Sequence, residues 1–192
     1  MAEPTLGLFT GRQRGNWIKL RTMILLRWFA IFGQLSALFA AQYLYDLWLP
    51  MGPCIFAVGI SAMGNLVAGF VFPENKRLSE TDNLFMVLFD LLQLGLLLYL
   101  TGGLHNPFSI LIVGPVTISA AALSLRSTLF VGTTAIVMVS LLMEFHLQLR
   151  TSQGFILRIP DVFLFGSWAA IVIAIVFLGI YARWITNEMH SM

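Results

Sequence analysis

Six long runs of apolar residues divide the chain, each closed by a short polar or Gly/Pro-containing break. They cover about Met23–Leu44, Met51–Phe72, Leu84–Thr101, Phe108–Leu125, Thr128–Phe145 and Val162–Ile185. A helix needs roughly 17–25 apolar residues to cross a bilayer, and the third run lies near the lower limit. The pattern predicts an all-α polytopic membrane protein, a bundle of six transmembrane helices. It divides the chain into an N-terminal segment 1–22, a membrane domain 23–185 and a helix-compatible polar end 186–192. Asp46-Leu-Trp-Leu-Pro50 is short enough to make the first two spans antiparallel neighbours. Pro73–Asn83 is a polar connection ending in Ser79-Glu-Thr-Asp82, a capping box with Asp in place of the usual Glu. Arg126-Ser127 reads as a tight turn. Residues 147–161 form a longer connection whose apolar piece, Gly154–Ile159, is too short to span and is expected at the interface.

Composition agrees with this pattern. The chain is 58% hydrophobic and 10% charged, with a mean hydropathy of +0.86, more apolar surface than a soluble domain of this size could cover. A net charge of +2, with the basic residues gathered at span ends, does not point to nucleic acid. The single cysteine, Cys54, excludes an intrachain disulfide and is expected to be a small buried residue. No signal peptide is legible at the N-terminus.

Lysine and arginine set the orientation. In a six-span chain Arg12, Arg14, Lys19, Arg21, Arg27, Lys76, Arg77, Arg126 and Arg183 share one side, and only Arg150 and Arg158 lie on the other. The positive-inside rule then puts both termini in the cytoplasm. Trp17 and Trp28 suit one interface, and Tyr43, Tyr45 and Trp48 form an aromatic belt at the other.

Polar residues inside spans are few, and each carries weight. Asp90 lies roughly 9 Å into the third span at 1.5 Å per residue. A carboxylate there costs at least a few kcal/mol unless paired or protonated. Arg27 lies at comparable depth, Asn65 is another possible partner, and Gln93 follows one turn on. Asp90, Gln93 and Arg27 are therefore candidates for a buried polar or proton site, or for a structural clamp. Glu144 and His146 close the fifth span, level with the turn after the third; they are expected to meet water, a protonatable pair near a ligand being the alternative, and His105 in that turn is expected to be solvated. Pro115, inside the fourth run, is expected to kink that helix, with Thr117 and Ser119 relieving the freed backbone. Gly33, Ala37 and Ala41 form a small-residue stripe for close helix packing, within the chain or across a dimer. No His/Cys/Asp/Glu cluster has metal spacing, and no phosphate-cradling loop, nucleophile elbow or H-E-x-x-H occurs. No catalytic constellation is legible. A small transporter or membrane enzyme using Asp90 and the Pro115 kink remains an alternative, because broken helices mark transporter sites.

The turn Gly102-Gly103-Leu104-His105-Asn106-Pro107-Phe108 separates the third and fourth runs and carries no Lys or Arg. Its glycines tolerate angles closed to other residues, and Pro107 bars Asn106 from the helical region. Together with Phe89-Asp90-Leu-Leu-Gln93 before it and Gly114-Pro115-Val-Thr-Ile-Ser119 after it, the turn resembles the sensor region of RegB/PrrB/ActS-type redox-responsive sensor histidine kinases. All five fixed letters of that family's heptapeptide, GGxxNPF, are present. The resemblance implies a membrane sensor domain that binds ubiquinone at this turn and regulates a cytoplasmic kinase serving a response regulator. It also implies a homodimer in the bacterial inner membrane. No histidine box, ATP-binding domain or cytoplasmic redox cysteine follows, so the chain itself is expected not to be an enzyme, and 186–192 reads as the start of a signalling helix. In the implied site, Gly102 and Gly103 offer backbone N–H groups, Asn106 an amide donor, Pro107 rigidity and Phe108 a wall for the ring. Spacing alone is equally compatible with an ordinary helical turn.

Overall fold

Two of the long helices start at a serine whose hydroxyl accepts one of their free backbone N–H groups, Ser79 for the third and Ser124 for the fifth. The computed structural model describes residues 20–71 and 79–191. Ser79 caps the third helix as expected: its Oγ accepts the Asp82 N–H at 3.2 Å, and Asp82 Oδ2 accepts the Ser79 N–H at 3.3 Å. The helices are α1 (Leu20–Tyr43), α2 (Met51–Val71), α3 (Glu80–Leu100), α4 (Val113–Ala122), α5 (Leu125–Glu144) and α6 (Asp161–Ser191). Two 3-10 segments, Gly103–His105 and Pro107–Ile112, join α3 to α4. The all-α six-helix bundle is thus as the hydrophobic pattern predicts. The residues Arg12, Arg14, Trp17, Lys19, Lys76 and Arg77, and most of the 1–22 segment, lie outside the described residues.

Five of the helices are long and apolar enough to cross a membrane, and the Pro107–Ala122 element is shorter. Its geometry compensates. A 3-10 helix rises about 2.0 Å per residue and an α-helix about 1.5 Å, so six residues of the first and ten of the second reach roughly 27 Å, close to the hydrocarbon thickness of about 30 Å. The expected kink at Pro115 is corrected here. The irregularity falls upstream, as a change of helix type at Ile112–Val113, and Pro115 itself sits in the first turn of α4. The Thr117 and Ser119 hydroxyls instead donate to the Val113 and Val116 carbonyls. The break between α4 and α5 is also earlier than expected. Ser124 is the N-cap, accepting from the Ser127 N–H, so Arg126 and Ser127 belong to the first turn of α5.

Two apolar clusters hold the bundle. The larger joins α3, α4, α5 and α6 around Leu91, Leu98, Ile112, Val116, Val131, Val139 and Ile175. The smaller joins the α1–α2 hairpin to α3 through Ile31, Leu38, Cys54, Val58 and Leu97, and Cys54 is fully buried as expected. Gly95 lets α3 approach α5 closely, since a methyl there would collide with Met138. Large apolar side chains such as Phe29, Phe32, Phe70 and Val162 remain exposed, the surface a bilayer would cover.

The ends of the bundle are tied differently. At the end carrying the α6 C-terminus, Glu80 Oε1 accepts from Ser127 Oγ at 2.7 Å and from the Ser124 N–H at 3.3 Å. Arg183 Nη1 donates to the Leu123 carbonyl at 2.7 Å, supplying a cation to the C-terminal end of α4. At the opposite end, β1 (Leu47–Trp48) pairs antiparallel with β2 (Arg150–Thr151), Leu47 opposite Thr151 and Trp48 opposite Arg150. The Asp46 carbonyl accepts the Ser152 N–H, and the Tyr99 carbonyl accepts the Leu147 N–H at 2.8 Å. Residues 147–160 thus form a strap across that end. Phe155, Ile156 and Leu157 are exposed on it, consistent with the expected interfacial position.

Candidate functional site

The heptapeptide folds as a rigid double turn packed beneath the strap. Gly102 and Gly103 both have positive φ, 102° and 56°, in the region that costs any residue with a Cβ. Gly103 has a second reason to be glycine. A Cβ there would collide with the Leu142 carbonyl and lie 2.8 Å from His146 Cβ. Both glycines are buried, Gly102 under Leu149. Their carbonyls accept from the His105 and Asn106 N–H groups at 3.0 and 3.2 Å.

Asn106 holds the next segment. Its Oδ1 accepts the Phe108 N–H at 2.9 Å, capping the 3-10 helix in which Pro107 occupies the first position. Its Nδ2 donates to Thr101 Oγ1 at 2.8 Å, and that hydroxyl donates to the Leu97 carbonyl at 2.8 Å. The amide therefore ties the start of the fourth span to the end of α3, and one of its two N–H groups remains for another acceptor. Phe108 is 47% exposed beside Ile110 and Leu111. Of the five expected ligand residues, Gly102 and Gly103 lie inside the turn, Asn106 is half-buried, and Pro107 and Phe108 face outward.

Next to the turn lies a cavity of about 460 Å³ that sequence reasoning does not anticipate. It is lined by polar groups on the turn, the end of α5, the strap and the start of α6, among them His105, Glu144, His146, Arg158 and Asp161. His105 is expected in water, yet it is half-buried, and its Nδ1 accepts the Ile159 N–H at 3.1 Å. Its ring meets that of His146 edge-on, 4.9 Å between centroids. His146 Nδ1 is buried and makes no hydrogen bond. Partial withdrawal from water holds the His105 pKa below the usual histidine value, with His146 and Arg158 acting in the same direction and Asp161 against it. The only hint in the sequence is the shared outer level of His105, Glu144 and His146.

The intramembrane polar residues form a separate cluster. Arg27 Nε lies 2.8 Å from Asp90 Oδ1, and Arg27 Nη2 donates to Asp90 Oδ2 at 2.9 Å. The guanidinium also sits 5.8 Å from the Phe89 ring centroid, a cation–π distance. Gln93 pairs with Gln34 rather than with Asp90. Each amide donates to the other's carbonyl, at 3.1 and 3.3 Å, and Gln93 reaches the Ala57 carbonyl at 3.4 Å. Asn65, considered as a partner for Asp90, instead donates to the Ile24 carbonyl at 3.0 Å. Asp90, Arg27 and Gln93 thus clamp α1 and α2 onto α3, in the same bundle as the turn but not in contact with its residues. Of the small-residue stripe, Gly33 faces open space while Ala41 packs within the α1–α2 cluster. Among the described residues, no group of three or more His, Cys, Asp or Glu could hold a metal ion.

Comparison with known proteins adds to this geometry. The chain is 49% identical over 186 residues to sensor histidine kinase RegB of Cereibacter sphaeroides, and 50% identical over 186 residues to a second RegB sequence of that species. Each match covers 97% of this chain and 40% of the relative, so the chain spans about two fifths of the length of these relatives. The likeness inferred from the heptapeptide is therefore carried by nearly the whole chain. No solved structure matches. Residues 13–156 match the family model described as the PilS-like transmembrane domain, and the chain belongs to that family of six-helix membrane domains.

Proposed function

We propose that this chain is the membrane sensor domain of a redox-responsive histidine kinase, binding ubiquinone at Gly102–Phe108. In this reading it sits in the bacterial inner membrane as a homodimer with both termini cytoplasmic. The redox state of the quinone pool biases the turn, and α6 carries that bias to a kinase that serves a response regulator. The observation that carries the proposal is the complete GGxxNPF heptapeptide, in a chain about half identical to a sensor histidine kinase over almost its full length. The geometry is compatible with it. The turn is braced by Asn106 and Thr101 and presents Phe108, Ile110 and Leu111 outward, where a flat ring with an apolar tail could lie against them. A quinone carbonyl could accept from the remaining Asn106 N–H. Because Gly102 is buried under Leu149 of the strap and Gly103 against Leu142 and His146 of α5 and its end, their role is to shape the turn, and direct contact falls to Asn106 and Phe108. Titration of ubiquinone analogues against purified protein tests this. Asn106→Ala is expected to weaken binding by about 1–3 kcal/mol if a buried carbonyl loses its donor, and Phe108→Ala to weaken it by removing the ring wall. Unchanged affinity in both variants would place the quinone elsewhere.

A further inference from the structure

The motif turn and the strap meet through one titratable group. The Ile159 N–H has the imidazole Nδ1 of His105 as its acceptor, at 3.1 Å. An imidazole accepts at that nitrogen only while neutral, and once protonated both nitrogens are donors. Protonation of His105 would therefore set two N–H groups against each other across the contact that joins the turn to the strap.

The surroundings make this contact responsive. His146 stands edge-on to His105, with its own Nδ1 buried and unpartnered. Arg158 on the strap, Asp161 at the start of α6 and Glu144 at the end of α5 complete the charged lining of the cavity. Arg158 and Asp161 pair with each other at 2.9 Å, which leaves Glu144 as the unpaired carboxylate on that wall. The cavity borders the His105 ring, giving protons a route to it from the face of the bundle opposite the end of α6. Burial, His146 and Arg158 favour the neutral ring, so its bond to the strap is fully present above the ordinary histidine value and is lost as pH falls through the lowered one.

We propose that His105 is a proton-sensing latch: neutral, it fastens the strap to the motif turn, and acid on that face of the membrane releases it. The latch is a second input, distinct from the quinone reading and independent of it, since every group it uses is present without quinone. Its consequence is local. Gly102, which lies under Leu149 of the strap, would be uncovered when the strap lifts.

Amide hydrogen exchange on the purified chain in lipid nanodiscs without quinone tests this, with Ile159 as the reporter and Leu147, which is bonded to the Tyr99 carbonyl, as the reference in the same strap. After correction for the intrinsic pH dependence of exchange, Ile159 is expected to lose severalfold, up to about tenfold, of its protection between about pH 7.5 and about pH 5.5, while Leu147 changes less. His105→Asn places an amide oxygen near the position of Nδ1 and does not titrate, so it should keep Ile159 protected at both pH values. His105→Phe removes the acceptor and should leave Ile159 unprotected at both. Unchanged Ile159 protection in the wild type overturns the proposal. So does an equal acid-induced loss in wild type and His105→Asn, because the titrating group would then be another one.

Discussion

Gly103 is the residue at which sequence and packing constrain each other most tightly. Its φ of 56° and the lack of space for a Cβ against Leu142 and His146 act independently. Gly103→Ala is expected to destabilise the domain by roughly 1–3 kcal/mol from backbone strain, with an overpacking cost of similar size added. A lower thermal unfolding midpoint in detergent would show it, and Gly33→Ala, at a site open within 4 Å, serves as the control. Asp90 is the second case. Its partner Arg27 has only 8% of its side chain exposed, so removing the carboxylate strands a buried cation. Asp90→Leu is expected to cost on the order of 3 kcal/mol, whereas Asp90→Asn keeps an acceptor for the guanidinium and should be milder. Wild-type folded yield and thermal stability in Asp90→Leu would refute a structural role for this pair.

At the scale of elements, the fourth span depends on its cap. Asn106 serves the Phe108 N–H through its oxygen and Thr101 through its nitrogen. Asn106→Ala should therefore lose about 1 kcal/mol of stability, apart from any effect on ligand affinity. Asn106→Asp keeps the capping oxygen and loses the amide donor. If the amide meets a quinone carbonyl, Asn106→Asp should bind quinone as poorly as Asn106→Ala while unfolding later. Equal affinity of Asn106→Asp and wild type would show that the amide acts only as a cap.

For the molecule as a whole, α6 is the element that leaves the bundle. Its 31 residues reach roughly 46 Å at 1.5 Å per residue, more than the hydrocarbon thickness of about 30 Å. It runs unbroken past Arg183, which is anchored to the end of α4, so a displacement of the motif turn can pass through α4 to α6 without crossing a loop. Arg183→Leu is expected to uncouple the two helices. Site-directed spin labels on α4 and α6 would report a broader distance distribution in that variant, and an unchanged distribution would argue against the linkage. A reporter fused after Met192 should be active only in the cytoplasm, following the nine-to-two split of basic residues.

The six-helix class, the capped start of α3, the buried Cys54 and the Arg27–Asp90 proximity were legible in the sequence. Hydrocarbon admits only helices whose backbone bonds close internally, and a lone carboxylate must find a cation. The motif turn was legible too, since glycines and a proline between two apolar runs have few other uses. Tertiary structure decided what depends on contacts distant along the chain. Gln93 chose Gln34, Asn65 chose the Ile24 carbonyl, and strands of two residues formed because the ends of α1 and α5 bring 47–48 beside 150–151. No local pattern encodes such strands, which are too short to be stable alone. It also decided that His105 would not be a solvated histidine. Its environment is made by His146, Arg158, Ile159 and Asp161, which lie 41 to 56 residues further along the chain; only folding brings them to one end of the bundle, where burial and the neighbouring groups bias the ring towards its neutral form.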